Sequence, residues 1–176
     1  PKKGAETLLR AIAKVRAAGL SCHVALAGTG EETYVESLRG LASDLGLEEA
    51  ARFVGLVRGS EKLSLYQAAS VFALPTHQEN FGLVFPEALA CGTPVVTTKG
   101  VDIWPELEAS GGAVIVENTV EAFAEAIRGL LADPERARAM GRSGREWVLR
   151  ELSPERTVGR LVDLYRGAAS GSVSGV

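Results

Sequence analysis

The chain has 176 residues and a mass of 18.5 kDa, the size of one domain, and can bury roughly 70% of its unfolded surface, enough for a full core. With 46% hydrophobic and 23% charged residues it stands with globular proteins, apart from disordered and fibrous chains. Nineteen basic against 22 acidic residues give a net charge of −3, so no basic excess answers a nucleic-acid backbone, and nucleic acid is not an expected partner.

Short β-branched runs alternate with longer segments of helical period, which predicts a parallel sheet covered by helices. Leu8, Leu9, Ile12 and Val15 form the apolar stripe of a first helix that ends at Gly19. Cys22–Ala27 reads as a strand, and Gly28-Thr29-Gly30 as a tight turn into a helix carrying Val35, Leu38, Leu41 and Leu45. Arg52-Phe53-Val54 is a short strand, and Ser60 is the expected N-cap of the next helix, with Leu63, Leu65 and Tyr66 as its apolar residues. Val71–Leu74 is a strand stopped by Pro75, and the polar loop Thr76-His77-Gln78-Glu79-Asn80 follows it. A helix beginning between Phe81 and Val84 runs to Cys91-Gly92, with Pro86 tolerable only in its first turn. Strands at Pro94–Thr97 and Ala113–Val116 come next, then helices over Val120–Leu131, between Pro134 and Arg150, and from Pro154 with Ser153 as N-cap. Residues 1–167 are read as one domain and 168–176, rich in Gly and Ser, as a flexible tail. The fold class is α/β, a Rossmann-like doubly wound parallel sheet flanked by helices.

Cys22 and Cys91 read as free thiols of a reducing compartment, and neither stands at metal-ligand spacing. No run approaches the roughly 18 apolar residues of a membrane span, and no leader precedes a cleavage site. The expected location is therefore the cytoplasm, its membrane face included. Because the chain opens Pro1-Lys2-Lys3-Gly4 without Met, its first residue reads as a cut within a longer protein.

In open α/β folds the ligand lies at the carboxyl ends of the strands, which directs attention to the loop after Pro75. Gly28-x-Gly30 follows a strand, but the third glycine of a dinucleotide fingerprint falls at Thr33, so the pair serves equally as a plain strand-to-helix turn. Glu79 and Glu87 enclose seven residues in the string Glu79-Asn80-Phe81-Gly82-Leu83-Val84-Phe85-Pro86-Glu87. One carboxylate lies in the loop, the other about a turn into the helix, and between them the amides and positive dipole end of a helix start face a phosphate. A diphosphate with hydroxyl groups on both sides is a nucleotide sugar.

This block, continued by Ala88-Leu89-Ala90-Cys91-Gly92-Thr93-Pro94-Val95-Val96, resembles the E-x7-E signature of the retaining GT-B glycosyltransferases of the group-one, glycogen-synthase-like family. The resemblance extends through Leu26–Gly30, Phe53–Val57 and Leu65–Pro75, and covers the C-terminal, donor-binding half of such an enzyme. It implies that Glu79 meets hydroxyls of the transferred sugar, Glu87 the ribose, and the amides of Asn80, Phe81, Gly82, Leu83 and Val84 the diphosphate. It implies that Lys3, before Gly4, grips the leaving diphosphate, while the arginine and first strand of the family's domain lie upstream of residue 1. It places Gly28, Gly30, Val57 and Lys62 at the donor, the last two at the base pocket. The run Gly100–Glu106 departs from the family's Pro-Glu-Ile/Val segment, and Glu106 receives no role. Asp44, Asp102, Asp133 and Asp163 supply no Asp-x-Asp pair, so a metal-independent reaction with no cofactor is expected.

The implied function is the donor half of a retaining glycosyltransferase, inactive alone, with a nucleotide-sugar donor, an acceptor domain outside this chain, and a glycan or lipid-linked sugar as acceptor. The alternatives are a stand-alone nucleotide- or dinucleotide-binding module and a nucleotide-sugar epimerase. His77 is read as a solvated loop histidine, with acid or base work the lesser reading. The final helix packs either on the family's N-terminal domain or on this domain's own sheet. With strand order 3-2-1-4-5-6 the sheet should be interrupted at its middle, with an upstream segment, another chain or Val173–Val176 filling the place.

Overall fold

A computed structural model describes residues 2–169. Helix α1 (Ala5–Ala17) leads to β1 (Val24–Ala27), α2 (Glu32–Asp44), β2 (Ala51–Gly55) and α3 (Gly59–Ala68). Then come β3 (Phe72–Ala73), α4 (Val84–Ala90), β4 (Val95–Thr98), α5 (Trp104–Ala109) and β5 (Ala113–Val116). Helices α6 (Val120–Ala132), α7 (Pro134–Glu151) and α8 (Pro154–Ala169) complete the described chain.

All strand pairs are parallel, β1 with β2 in one sheet and β3-β4-β5 in that order in a second. One core serves both sheets, because Val24 and Ala51 of the first and Val96 of the second share a buried cluster with Leu9, Ile12 and Val15 of α1 and Phe123 and Ile127 of α6. The spacing of those α1 residues gives the helix one apolar stripe, and Gly19, at φ 87°, ends it. On the other face of the second sheet Val95 packs with Phe85, Leu89 and Leu107. Strand β4 is buried along its whole length, as a central parallel strand covered on both faces requires.

The strand order agrees with the expected one, interruption included. Phe72 and Leu74 donate their N–H groups to Pro94 and Val96, so alternation turns the N–H and C=O of Ala73 away from β4. Val24 donates to Ala50, which turns Ala25 away from β2. β1 and β3 are not hydrogen-bonded to each other.

Other expectations change in detail. Helix α3 starts at Gly59, so Ser60 lies inside it and the cap position falls to Arg58, without a side-chain cap. Helix α5 has no counterpart in the sequence reading, since six residues with Pro105 in the first turn and only Leu107 buried display no period. Ser153 does cap α8, its hydroxyl accepting from the Arg156 N–H at 3.2 Å. That helix continues through Ala169, two residues past the expected boundary at 167, and the remainder of the expected tail, Val173–Val176 included, lies outside the described residues. No residue of α8 is buried, and it lies against α7 rather than on the sheet. His23, inside the expected strand Cys22–Ala27, is exposed one position before β1.

Candidate functional site

The loop that carries Glu79 is held by main-chain and threonine bonds from every side. Thr97 and Thr98 of β4 donate their hydroxyls to Leu74 O at 3.0 Å and Thr76 O at 2.7 Å. Glu79 itself forms a short parallel bridge with Val101, its N–H reaching Gly100 O at 2.7 Å and its C=O accepting from Asp102 at 2.9 Å. The backbone of Glu79 is therefore fixed although it belongs to no strand.

The segment before α1 is laid along this loop. Lys2 O accepts from the His77 N–H at 3.1 Å and from the Thr76 hydroxyl at 3.3 Å. Gly4, at φ 65°, lies so close to Pro75 that a Cβ there would overlap the Pro75 carbonyl oxygen. Lys3 is thereby brought to Glu79, its Nζ ion-paired with Oε2, and the Glu79 side chain keeps 21% of its surface exposed.

Between Glu79 and Glu87 the chain turns through Gly82 at φ 62°. A Cβ on Gly82 would stand 2.8 Å from Glu79 Cγ and 2.6 Å from the fully buried Phe85 ring, so the turn and the carboxylate are packed on one another. Phe85 and Glu87 donate their N–H groups to Gly82 O and Leu83 O, and Pro86 falls in the first turn of α4, as its ring demands. Phe81 and Leu83 are exposed.

Glu87 projects from α4 toward α3, where Lys62 and Tyr66 stand four residues apart on one face. Lys62 Nζ is 2.7 Å from Oε1 and the Tyr66 hydroxyl is 3.2 Å from Oε2. Burial and the adjacent Glu87 charge push the Tyr66 phenol well above its usual range, so it remains a donor. Its ring continues edge to face onto Phe72 at 5.4 Å, and Phe72 onto Phe85 at 6.0 Å, an aromatic floor beneath the two carboxylates.

Of the residues singled out in the sequence, Lys3, Glu79 and Gly82 come together, and Lys62 meets Glu87 one turn of α4 further along. Gly28 and Gly30 lie beyond the carboxyl end of β1, Gly28 bonded to Gly55 O at 2.7 Å, and Val57 follows β2. These three sit across the sheet interruption from Glu79. Tyr66 and Asn118 were not anticipated. The i, i+4 spacing from Lys62 would have marked Tyr66, and Asn118, a polar residue just past an apolar strand, stands where α/β folds place ligand-side groups. His77 is exposed, as read, and its Nδ1 is 3.3 Å from Asn118 Nδ2.

Comparison with known proteins gives the family of the chain. The family model described as "Glycosyl transferases group 1" matches residues 1–147. A GDP-mannose-dependent alpha-(1-6)-phosphatidylinositol monomannoside mannosyltransferase of Mycolicibacterium smegmatis is 36% identical over 95% of this chain and 45% of its own length. A D-inositol 3-phosphate glycosyltransferase of Saccharomonospora viridis is 37% identical over 96% of this chain and 41% of its own. Among solved structures, the sucrose-phosphate synthase of Thermosynechococcus elongatus superposes with a TM-score of 0.82 and 31% identity, over 97% of this chain and 43% of that one. The chain thus spans less than half the length of each of these three proteins. A match that runs from the Lys3 segment through both glutamates and into α7 places this chain in the group 1 glycosyl transferases, as a C-terminal half with the GT-B fold.

Proposed function

We propose that this chain is the donor-binding half of a retaining glycosyltransferase that moves a sugar from a nucleoside-diphosphate sugar to an acceptor held by the rest of the enzyme. The observation that carries this reading is the pair Glu79 and Glu87, set at the two ends of the Asn80–Leu83 turn and each joined to a lysine of another element. Glu79 accepts from hydroxyls of the sugar, Glu87 from the ribose, and the N–H groups of Asn80–Val84 meet the diphosphate between them. In the reaction the bond from the anomeric carbon to the diphosphate oxygen breaks, the acceptor oxygen bonds to that carbon, and the acceptor proton passes to the departing diphosphate. Lys3 and the turn amides stabilise the charge that collects there, so no metal or cofactor enters this reading.

Gly28, Gly30, Val57 and Lys62 border the nucleoside in this arrangement, and Lys62 shares Glu87 with the ribose. The dependence of the mycolicibacterial relative on GDP-mannose supports a nucleotide-sugar donor, and its phosphatidylinositol monomannoside acceptor supports a lipid-linked sugar as the acceptor class. Melting this chain against UDP-, GDP- and ADP-sugars tests the reading. The matching donor at 100 times its Kd stabilises the fold by about 2.7 kcal/mol, and a Tm unmoved by every nucleoside diphosphate and sugar conjugate refutes it.

A further inference from the structure

We infer that Asn118 is the positioning residue for Glu79, holding the loop after β3 in the one register that presents the carboxylate to the donor sugar; the inference rests on the donor reading for the role of Glu79. Asn118 stands two residues past β5, and its amide Nδ2 faces three consecutive residues at the entry of that loop. It lies 3.3 Å from Pro75 O, 3.5 Å from Thr76 O and 3.3 Å from His77 Nδ1. The orientation of the amide follows from these neighbours, because the opposite one would set Oδ1 against two carbonyl oxygens. The orientation leaves Oδ1 buried without a partner among the described residues, a cost that the contacts of Nδ2 offset.

The clamp reaches both ends of the charged pair. Thr76 and His77, which Asn118 holds, are the residues that bind Lys2 O, so the segment carrying Lys3 hangs from the same short stretch of loop as Glu79. One side chain after β5 thereby joins the Thr98 hydroxyl and the Val101 bridge in setting the register of a carboxylate after β3 and of a lysine ahead of α1.

The clamp has a condition. Nδ2 is a donor, so the His77 ring meets it only through a nitrogen that accepts. A proton on Nδ1 opposes donor to donor, and turning the amide over to relieve this gives up Pro75 O and Thr76 O. Lys99 after β4 and Glu117 after β5 line the same cleft as His77 and Asn118. No carboxylate is paired with the imidazole among the described contacts.

The test uses this chain with calorimetry and amide hydrogen exchange. Asn118→Ala is expected to raise exchange at His77 and Glu79 at least tenfold, with Ile127 in α6 unchanged, and to lower the preference for the sugar conjugate over free diphosphate about tenfold. His77→Gln, whose carbonyl still accepts, should keep the loop protected. Unchanged loop exchange in Asn118→Ala, or loop exchange raised as far in His77→Gln as in Asn118→Ala, overturns the clamp. If the wild type binds no nucleotide the donor reading falls by itself, and the exchange measurements, which need no ligand, still decide for or against the clamp.

Discussion

Glu87 gives one carboxylate oxygen to Lys62 and the other to Tyr66, so before any ligand arrives it is oriented by two donors from a single helix. A ribose diol that bonds this carboxylate meets a group already aimed, with little side-chain freedom left to lose. Glu87→Ala is therefore expected to weaken nucleoside diphosphate and sugar conjugate alike, by about 1.5–3 kcal/mol, the range for a hydrogen bond to a charged group. Glu79→Ala is expected to weaken only the conjugate, and calorimetry with both ligands separates the two. Equal affinity of wild type and Glu87→Ala for free diphosphate would remove Glu87 from the ribose. Gly82→Ala carries a different penalty: its φ of 62° and a Cβ 2.6 Å from Phe85 combine strain with overlap, so it should destabilise the fold by about 1–3 kcal/mol in urea unfolding. The two glutamates were legible in the sequence because the string between them has a fixed chemistry. Tyr66 was legible only as an apolar helix residue, since a hydroxyl's partner on another helix leaves no local trace. The same holds for Asn118, whose partners lie more than forty positions away.

At the scale of elements, the long periodic helices and the apolar strands were legible, and the departures fall where few residues face the core. Helix α5 buries a single side chain, and the start of α3 is set by the chain's course out of β2 rather than by a capping hydroxyl. Helix α8 is amphipathic yet buries nothing, leaving Val158, Leu161, Val162 and Leu164 exposed, with Leu161 and Leu164 lining a groove of about 770 Å³ shared with Phe81, Leu83 and Pro86. What fixes its start is electrostatic. Glu151, at the end of α7, accepts from Arg150 and from Arg160 of α8 and is ion-paired with Arg156, and the Arg150 hydrogen bond together with these charges holds its carboxyl below the usual range. A carboxyl whose pKa is lower in the folded state contributes stability that is present above the unfolded value, roughly 4.3, and lost as pH falls through the folded one. The α8 amides should therefore lose protection as pH falls from about 5 to about 3, after correction for intrinsic exchange, and Glu151→Gln should flatten the response. Protection of α8 that is equal at pH 6 and pH 3.5 in the wild type would show that the junction does not depend on this carboxylate.

Across the whole molecule, two sheets share one core without sharing a hydrogen bond. The expected order, with the first strand at the centre and outside this numbering, accounts for that arrangement: β2 and β1 lie to one side, β3, β4 and β5 to the other. Helix α1 spans the division, packing on α6 and α2, so burial of Leu9, Ile12 and Val15 holds the sheets in register where the backbone does not. The interruption also separates Gly28, Gly30 and Val57 from the Glu79 loop, and a strand between β1 and β3 would tie the two halves of the donor site together. Ala25 and Ala73 turn their N–H and C=O groups toward it, each unpaired group costing about 1–3 kcal/mol where water is excluded. In this chain alone their amides should exchange within minutes, whereas Val96, buried in the central strand and paired on both sides, should exchange only with global unfolding. An extended segment seated between β1 and β3 should slow Ala25 and Ala73 together, because one strand would bond both edges. Slow exchange at both residues in the isolated chain, or protection of one without the other when such a segment is supplied, would show that the two edges do not face a common strand.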